Sequence, residues 1–161
     1  MRKILAGAAL ALSVAVLMTP ALADTTIKVE LADIGGMMDM SKVMDMGMGM
    51  HGDMKMALMS INIDKDTVPA GKVTFEVTNI SAETQHEMLV SPVASRDATL
   101  PFNANENRVD EEASGDLGEV SELDPGKSGA LTLELKPGLY VLFCNIPGHF
   151  TAGMWKVIEV K

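Results

Sequence analysis

The sequence predicts an all-β protein, folded as a Greek-key β-sandwich of about seven to eight strands. Short segments in which apolar and polar residues alternate recur along the chain, as expected of half-buried strands. Turn signals such as Val68-Pro69-Ala70-Gly71 and Asp124-Pro125-Gly126 separate these segments at intervals of roughly ten residues. No long helical pattern lies between them, so an antiparallel sandwich is the natural class.

The N-terminus predicts export. Arg2 and Lys3 precede an apolar run from Ile4 to Met18, and Ala21-Leu22-Ala23 forms a small-residue cleavage site. We therefore expect residues 1–23 to be a signal peptide that is removed before Asp24. An uncleaved anchor is the alternative, although the run is shorter than the ~20 apolar residues that a membrane span needs. The expected product is a periplasmic protein without stable membrane insertion.

The chain is acidic, with 13 basic and 22 acidic residues in 161 and a formal charge of −9. Loss of Arg2 and Lys3 with the signal would change this charge from −9 to −11. Such a surface repels nucleic acid and anionic lipid, which excludes nucleic-acid binding as a function. It favours a basic protein partner or cations.

The mature chain divides into three parts. Residues 24–34 are a first strand, in which Ile27, Val29 and Leu31 share one face. Residues 35–56 are a Met-rich segment, and residues 57–161 form the core of the domain. Within this core we expect strands at 57–64, 72–78, 86–90, 119–123, 131–135, 139–143 and 155–160. Residues 92–118 are irregular and have room for a short external helix.

The Met-rich segment has many glycines and a single β-branched residue, Val43, so it predicts a flexible loop without regular structure. Ten of the chain's 14 methionines lie between Met37 and Met59, many as Met-x-Met. Thioethers are soft, neutral ligands for Cu(I). The segment is therefore either a sticky linker or a secondary copper site, for which the candidate ligands are Met44, Met46, Met48, Met50 and His51.

The stretch from Cys144 to Met154 gathers soft ligands on one loop between two predicted strands. It holds the only cysteine, together with His149 and Met154. One cysteine cannot form an internal disulfide, so an exported chain must bury or ligate this thiol. Taken singly, each residue also has a structural explanation, as a buried cysteine, a loop histidine or a core methionine. Together with a second imidazole they would form a trigonal His₂Cys site with a weak axial Met, which selects copper and suits electron transfer. His86 lies where a strand begins after a polar loop, and it is the candidate for this second imidazole.

This loop resembles the ligand loop of the cupredoxins, the small blue or green type 1 copper proteins. Four residues separate Cys144 from His149 and four separate His149 from Met154, with Pro147-Gly148 before the histidine. The spacing is most similar to that of rusticyanins and sulfocyanins, and residues 137–144 resemble the penultimate strand of the family. The resemblance covers roughly residues 57–161. The Met-rich segment is similar to that of periplasmic copper-tolerance cupredoxins.

The resemblance implies one type 1 copper held by His86, Cys144, His149 and Met154. His149 would be the point of electron entry or exit, and the apolar residues Ile146, Pro147, Phe150 and Trp155 would form a dry docking patch. One residue departs from the pattern. Glu87 follows His86, where many relatives carry a small polar side chain that bonds to the cysteine loop. Its carboxylate would either face solvent or perturb the surroundings of the metal.

The sequence leaves two functions open. The first is one-electron transfer with a periplasmic redox protein, by cycling Cu(I)/Cu(II). The second is copper homeostasis or tolerance, in which the chain binds or buffers copper, aided by the Met-rich segment, alongside other copper-handling proteins. We expect no enzyme, because the chain is too short for several copper domains. A binuclear CuA site would need two cysteines, and the chain has one.

Overall fold

The computed structural model describes residues 24–33 and 59–161. The predicted signal peptide, 1–23, and the predicted Met-rich segment, 35–56, lie outside these residues, and so do Met44, Met46, Met48, Met50 and His51. The described ranges contain the following elements in chain order: β1 (Thr25–Asp33), β2 (Met59–Ile63), β3 (Thr67–Val68), β4 (Gly71–Asn79), β5 (His86–Val93), β6 (Phe102–Asn103), β7 (Arg108–Val109), α1 (Glu111–Ser114), β8 (Glu119–Leu123), β9 (Ser128–Leu135), β10 (Gly138–Phe143) and β11 (Trp155–Val160).

Two sheets form the predicted sandwich. Sheet I has the strand order β2-β1-β4-β9, and sheet II has the order β3-β11-β10-β5-β8. A small hairpin, β6-β7, stands apart from both. Three of the described strands, β3, β6 and β7, contain two residues each, so the longer strands match the predicted number.

The sheets are mixed, whereas the sequence predicts antiparallel pairing. β1 runs parallel to β4, from Thr25 opposite Val73 to Leu31 opposite Asn79. β3 runs parallel to β11. Parallel neighbours need a crossover between them, and β2 and β3 both lie between β1 and β4 along the chain. The turn signals indicate where strands end but not which strands become neighbours.

Strand β5 continues through Ser91 and Pro92, where the sequence predicts that it stops. On one side β5 pairs with β10, and Pro92 lies opposite Tyr140. On the other side the pairing with β8 reaches only Leu89. Pro92 therefore lies where the strand has one neighbour, a position at which the missing N–H leaves no ladder bond unmade.

Alternating strand residues build the core between the sheets, as predicted. Val73, Phe75 and Val77 of β4 are fully buried and pack with Leu142 of β10 and Ile158 of β11. Met88, Cys144 and Met154 belong to the same cluster, so the proposed ligands adjoin the main core.

A second apolar cluster lies outside this core. Phe143, Phe150 and Trp155 pack with Leu89, Val109, Val141 and Val157. Phe102 of β6 stacks on Phe150 at 6.3 Å between ring centroids. The irregular residues after β5 thus supply Val109 and Phe102 to this cluster. Because both faces of β10 are covered, its inner residues form a continuous buried run rather than an alternating one.

The one helix of the described residues is α1, which has a single turn. Asp110 caps it by accepting a hydrogen bond from Ala113 N, and Gly115 ends it in the left-handed conformation, with φ 70°. The short helix expected within residues 92–118 is therefore present. In the parts of the chain that the structure describes, no helix is long and apolar enough to span a membrane.

Candidate metal centre

The loop from Cys144 to Met154 connects β10 to β11 and is closed at its base. Phe143 and Trp155 are opposite each other in the strand register. One residue further in, Cys144 N donates a hydrogen bond of 3.0 Å to Met154 O. Both side chains are fully buried. The ends of the hairpin therefore bring Cys144 and Met154 together at the base of the loop.

Inside the loop, backbone bonds turn His149 back toward the cysteine. His149 N donates to Ile146 O at 2.9 Å, and Met154 N donates to His149 O at 3.1 Å. Gly148 and Gly153 have φ values of 89° and 95°, which other residues adopt only with strain. As a result, His149 Nδ1 lies 3.3 Å from Cys144 Sγ.

His86 reaches the same point from the first residue of β5. Its Nδ1 lies 3.2 Å from Nδ1 of His149, and the two ring centroids are 5.1 Å apart. The pairing of β5 with β8 is irregular between His86 and Met88, and such bulges re-aim side chains. One donor atom each from His86, Cys144 and His149 lies within 4.8 Å of the other two.

Met154 completes the predicted set by position. It belongs to the same buried cluster as Cys144, and its backbone bonds to both Cys144 and His149. Met88 also lies in this cluster and is fully buried. Two imidazole nitrogens, one sulfur of cysteine and one thioether are the donors of a type 1 copper centre. The residues present therefore fit that group.

Burial sets the protonation of the site. Loss of solvent raises the pKa of the Cys144 thiol to about 12. It also lowers the pKa of His86 and of His149, although Asp33 opposes this effect at both rings. Without metal, the site holds a protonated thiol and, at neutral pH, two uncharged rings. A bound cation therefore has to displace the thiol proton, so metal affinity rises with pH.

Glu87 does not face solvent. It is 5% exposed, and its Oε1 accepts a hydrogen bond of 3.0 Å from Asn145 N. Its own backbone N donates to Cys144 Sγ at 3.5 Å. One residue thus bonds both to the cysteine sulfur and to the residue after it, which ties β5 to the ligand loop.

The docking patch predicted beside His149 is only partly present. Phe150 and Trp155 are 2% and 3% exposed and pack in the second apolar cluster. Their assignment to a surface patch was therefore wrong, because the chain after β5 covers that face of sheet II. Pro147 is exposed, while Ile146 and His149 are partly exposed.

Sequence reasoning missed three residues around the site. Asp33 and Ser81 bond to His86, and Asn145, which lies in the ligand loop, bonds to Glu87 and Val109. Asp33 lies on β1, 53 residues from His86 in the chain. No local pattern indicates that contact, because it depends on the pairing of distant strands.

The fold is that of the cupredoxins. Among solved structures, the rusticyanin of Thiobacillus ferrooxidans matches with 19% identity over 84% of this chain and 77% of its own, at a TM-score of 0.53. Auracyanin B matches with 19% identity over 89% and 93%, at 0.52. Auracyanin A of Chloroflexus aurantiacus, described as a "blue" copper protein, matches with 19% identity over 84% and 99%, also at 0.52. No family model and no curated protein sequence matches the chain.

Proposed function

We propose that this protein is an exported type 1 copper protein that transfers single electrons in the periplasm. One observation carries the proposal. Nitrogen atoms of His86 and His149 and the sulfur of Cys144 come within 4.8 Å of one another, at one end of a cupredoxin sandwich. The predicted signal peptide supports export, and the solved "blue" copper protein of similar fold supports the choice of metal.

The chain holds these donors rigidly. His86 and Cys144 are fully buried; His86 begins β5, Cys144 directly follows β10, and these two strands are hydrogen-bonded neighbours in sheet II. The bonds of Glu87 to Cys144 and Asn145 fix the spacing of β5 and the loop. Bound copper would supply a centre that exchanges one electron between Cu(I) and Cu(II). A preset ligand geometry keeps the rearrangement that accompanies this exchange small.

Electron exchange is assigned to the exposed edge of His149. His149 is partly exposed, whereas His86 has no exposed surface. Beside it, Pro147 is exposed and Ile146 is partly exposed. With a formal charge of −9, the chain attracts a basic redox partner, so their association weakens as salt increases.

The visible spectrum of the purified protein with Cu(II) tests this function. We expect one equivalent of copper to give strong thiolate-to-copper absorption that disappears on reduction and returns on oxidation. Cys144→Ser should abolish the band, because the donating thiolate is gone. Met88→Leu is the matched control, since it changes a buried methionine of the same cluster that is not a proposed ligand. Absence of the band in the unaltered protein, or its survival in Cys144→Ser, would contradict the proposal.

The Met-rich sequence favours copper homeostasis as a second candidate. The described residues that flank it in the chain, Asp33 and Met59, are paired in sheet I. Asp33 bonds to His86, and Met59 N donates to Ala152 O of the ligand loop at 3.3 Å. The two described residues that flank the Met-rich stretch thus lie beside the proposed copper site.

Deletion of residues 37–56 separates the two candidates. It leaves residues 34–36 and 57–58 to connect Asp33 with Met59, a length suited to an antiparallel hairpin. If the protein serves homeostasis, the deletion should lower the copper tolerance of the host and the number of Cu(I) ions bound, while the visible band remains. Unchanged tolerance, with electron flux that still depends on the protein, would contradict the homeostasis function and favour electron transfer.

A further inference from the structure

The second ring nitrogen of His86 is also bonded, although it lies on the side away from Cys144 and His149. Nε2 lies 3.1 Å from Asp33 Oδ1 and 2.9 Å from Ser81 Oγ. The ring is fully buried, while the Asp33 side chain is 30% exposed. A polar bond on each nitrogen accounts for every hydrogen-bonding group of this ring.

These contacts fix the position of the ring proton. An ionised carboxylate only accepts hydrogen bonds, so a neutral His86 must carry its proton on Nε2 to bond to Asp33. Its Nδ1 then carries an acceptor lone pair, and Nδ1 is the atom that faces His149 Nδ1 at 3.2 Å. The tautomer set by Asp33 is the one that a metal ligand at Nδ1 requires.

Hydrogen bonds to the backbone hold Asp33 and Ser81 in place beside His86 Nε2. Asp33 N donates to Ser81 Oγ at 3.0 Å, which joins the end of β1 to the loop between β4 and β5. Asn79, which is fully buried, holds that loop by accepting from Ser81 N and donating to Thr84 O and Leu123 O. The acceptors are therefore preorganised by bonds that join the ends of β1, β4 and β8, none of which involves the loop that carries Cys144.

We propose that Asp33 is a positioning residue of the copper site, which orients His86 and increases the electron density of its ring through the Nε2–H bond. The inference rests on the proposed function. A carboxylate behind a ligating imidazole makes it a stronger donor, and loss of such partners typically weakens metal binding about 10-fold to 100-fold. Cu(II) gains more than Cu(I) from added negative charge, so Asp33 lowers the reduction potential.

The test compares Asp33→Asn with Glu30→Gln in the full chain, with copper added. Asparagine keeps the shape of Asp33 and removes its charge. Glu30→Gln removes the same charge from an exposed position of the same strand. In Asp33→Asn we expect Cu(II) affinity to fall by about 10-fold or more, with a smaller loss for Cu(I). Each tenfold difference between the two losses raises the potential by about 59 mV. Glu30→Gln should change neither the Cu(II) affinity nor the Cu(I) affinity by as much as twofold.

A measurement on the unaltered protein covers the case in which Asp33→Asn fails to fold. In the metal-free protein at neutral pH, nitrogen NMR should show His86 protonated at Nε2, with a slowly exchanging proton. A ring protonated at Nδ1, or a potential for Asp33→Asn equal to that of Glu30→Gln, would overturn the inference while the copper site stands. If the unaltered protein forms no copper–thiolate band, both the proposed function and this inference fall.

Discussion

At the scale of single residues, Glu87 shows how a buried carboxyl group is tolerated beside the site. Burial raises its pKa to about 7, and the nearby carboxylates Glu122 and Glu119 act in the same direction. The hydrogen bond from Asn145 N opposes them. Near neutral pH the metal-free protein therefore contains Glu87 partly in its neutral form, which places less negative charge next to the Cys144 thiol.

We predict that Glu87→Gln reduces the pH dependence of stability in the metal-free protein. The pKa of Glu87 is higher when folded than the ordinary value of 4.5, so the folded state holds the proton more tightly. The resulting stabilisation is present below about pH 4.5 and is lost as the pH rises through about 7, by up to roughly 3 kcal/mol. Glutamine keeps an acceptor for Asn145 N and does not titrate.

Urea denaturation at about pH 5 and pH 8 measures this effect. The unfolding free energy of the unaltered protein should fall relative to that of Glu87→Gln between the two values. Titration of His86 and His149 is common to both proteins and cancels in the comparison. Parallel pH profiles would show that the carboxyl group of Glu87 is not perturbed by burial.

At the scale of elements, Asn145 connects the ligand loop to the chain that covers sheet II. Its side chain accepts from Val109 N at 2.7 Å and donates to Val109 O at 3.0 Å and to Glu111 Oε1 at 2.8 Å. Asn145 is fully buried, and Val109 is 1% exposed. Strand β7 and helix α1 are thus held in place by the residue that follows Cys144.

We predict that Asn145→Ala destabilises the metal-free protein by about 1–3 kcal/mol, because it leaves the buried N–H and C=O of Val109 without partners. Asn62→Ala is the control. Asn62 is exposed, and its amide makes one long bond of 3.4 Å to Ser60 Oγ. It should change the unfolding free energy by less than about 0.5 kcal/mol. Equal losses in the two variants would mean that Asn145 does not anchor β7.

At the scale of the whole molecule, the sequence predicted the sandwich and identified His86, Cys144 and His149, whose donor atoms lie close together in the structure. Cys144, His149 and Met154 could be identified because they lie on one short loop with recognisable spacing. His86 could be identified because polar residues precede its strand and few other histidines were available. These signals are local in the chain.

What the sequence did not reveal depends on long-range pairing. The parallel alignment of β1 with β4 brings Asp33 to His86, and no pattern within either strand specifies it. Likewise, Trp155 begins a strand of ordinary alternating pattern. It is buried because residues after β5, such as Val109, pack in the same cluster. Strand periodicity indicates which faces are apolar but not what lies on them.

If His86, Cys144 and His149 hold copper rigidly, one metal site uses the same donors in both oxidation states. X-ray absorption at the copper edge, on the full chain loaded with one equivalent, tests it most directly. We predict two imidazole nitrogens and one short copper–sulfur bond in both the Cu(II) and the Cu(I) protein, with little change in distance between them. A first shell of several thioether sulfurs, or one without the short sulfur bond, would place the copper elsewhere in the chain and contradict the account.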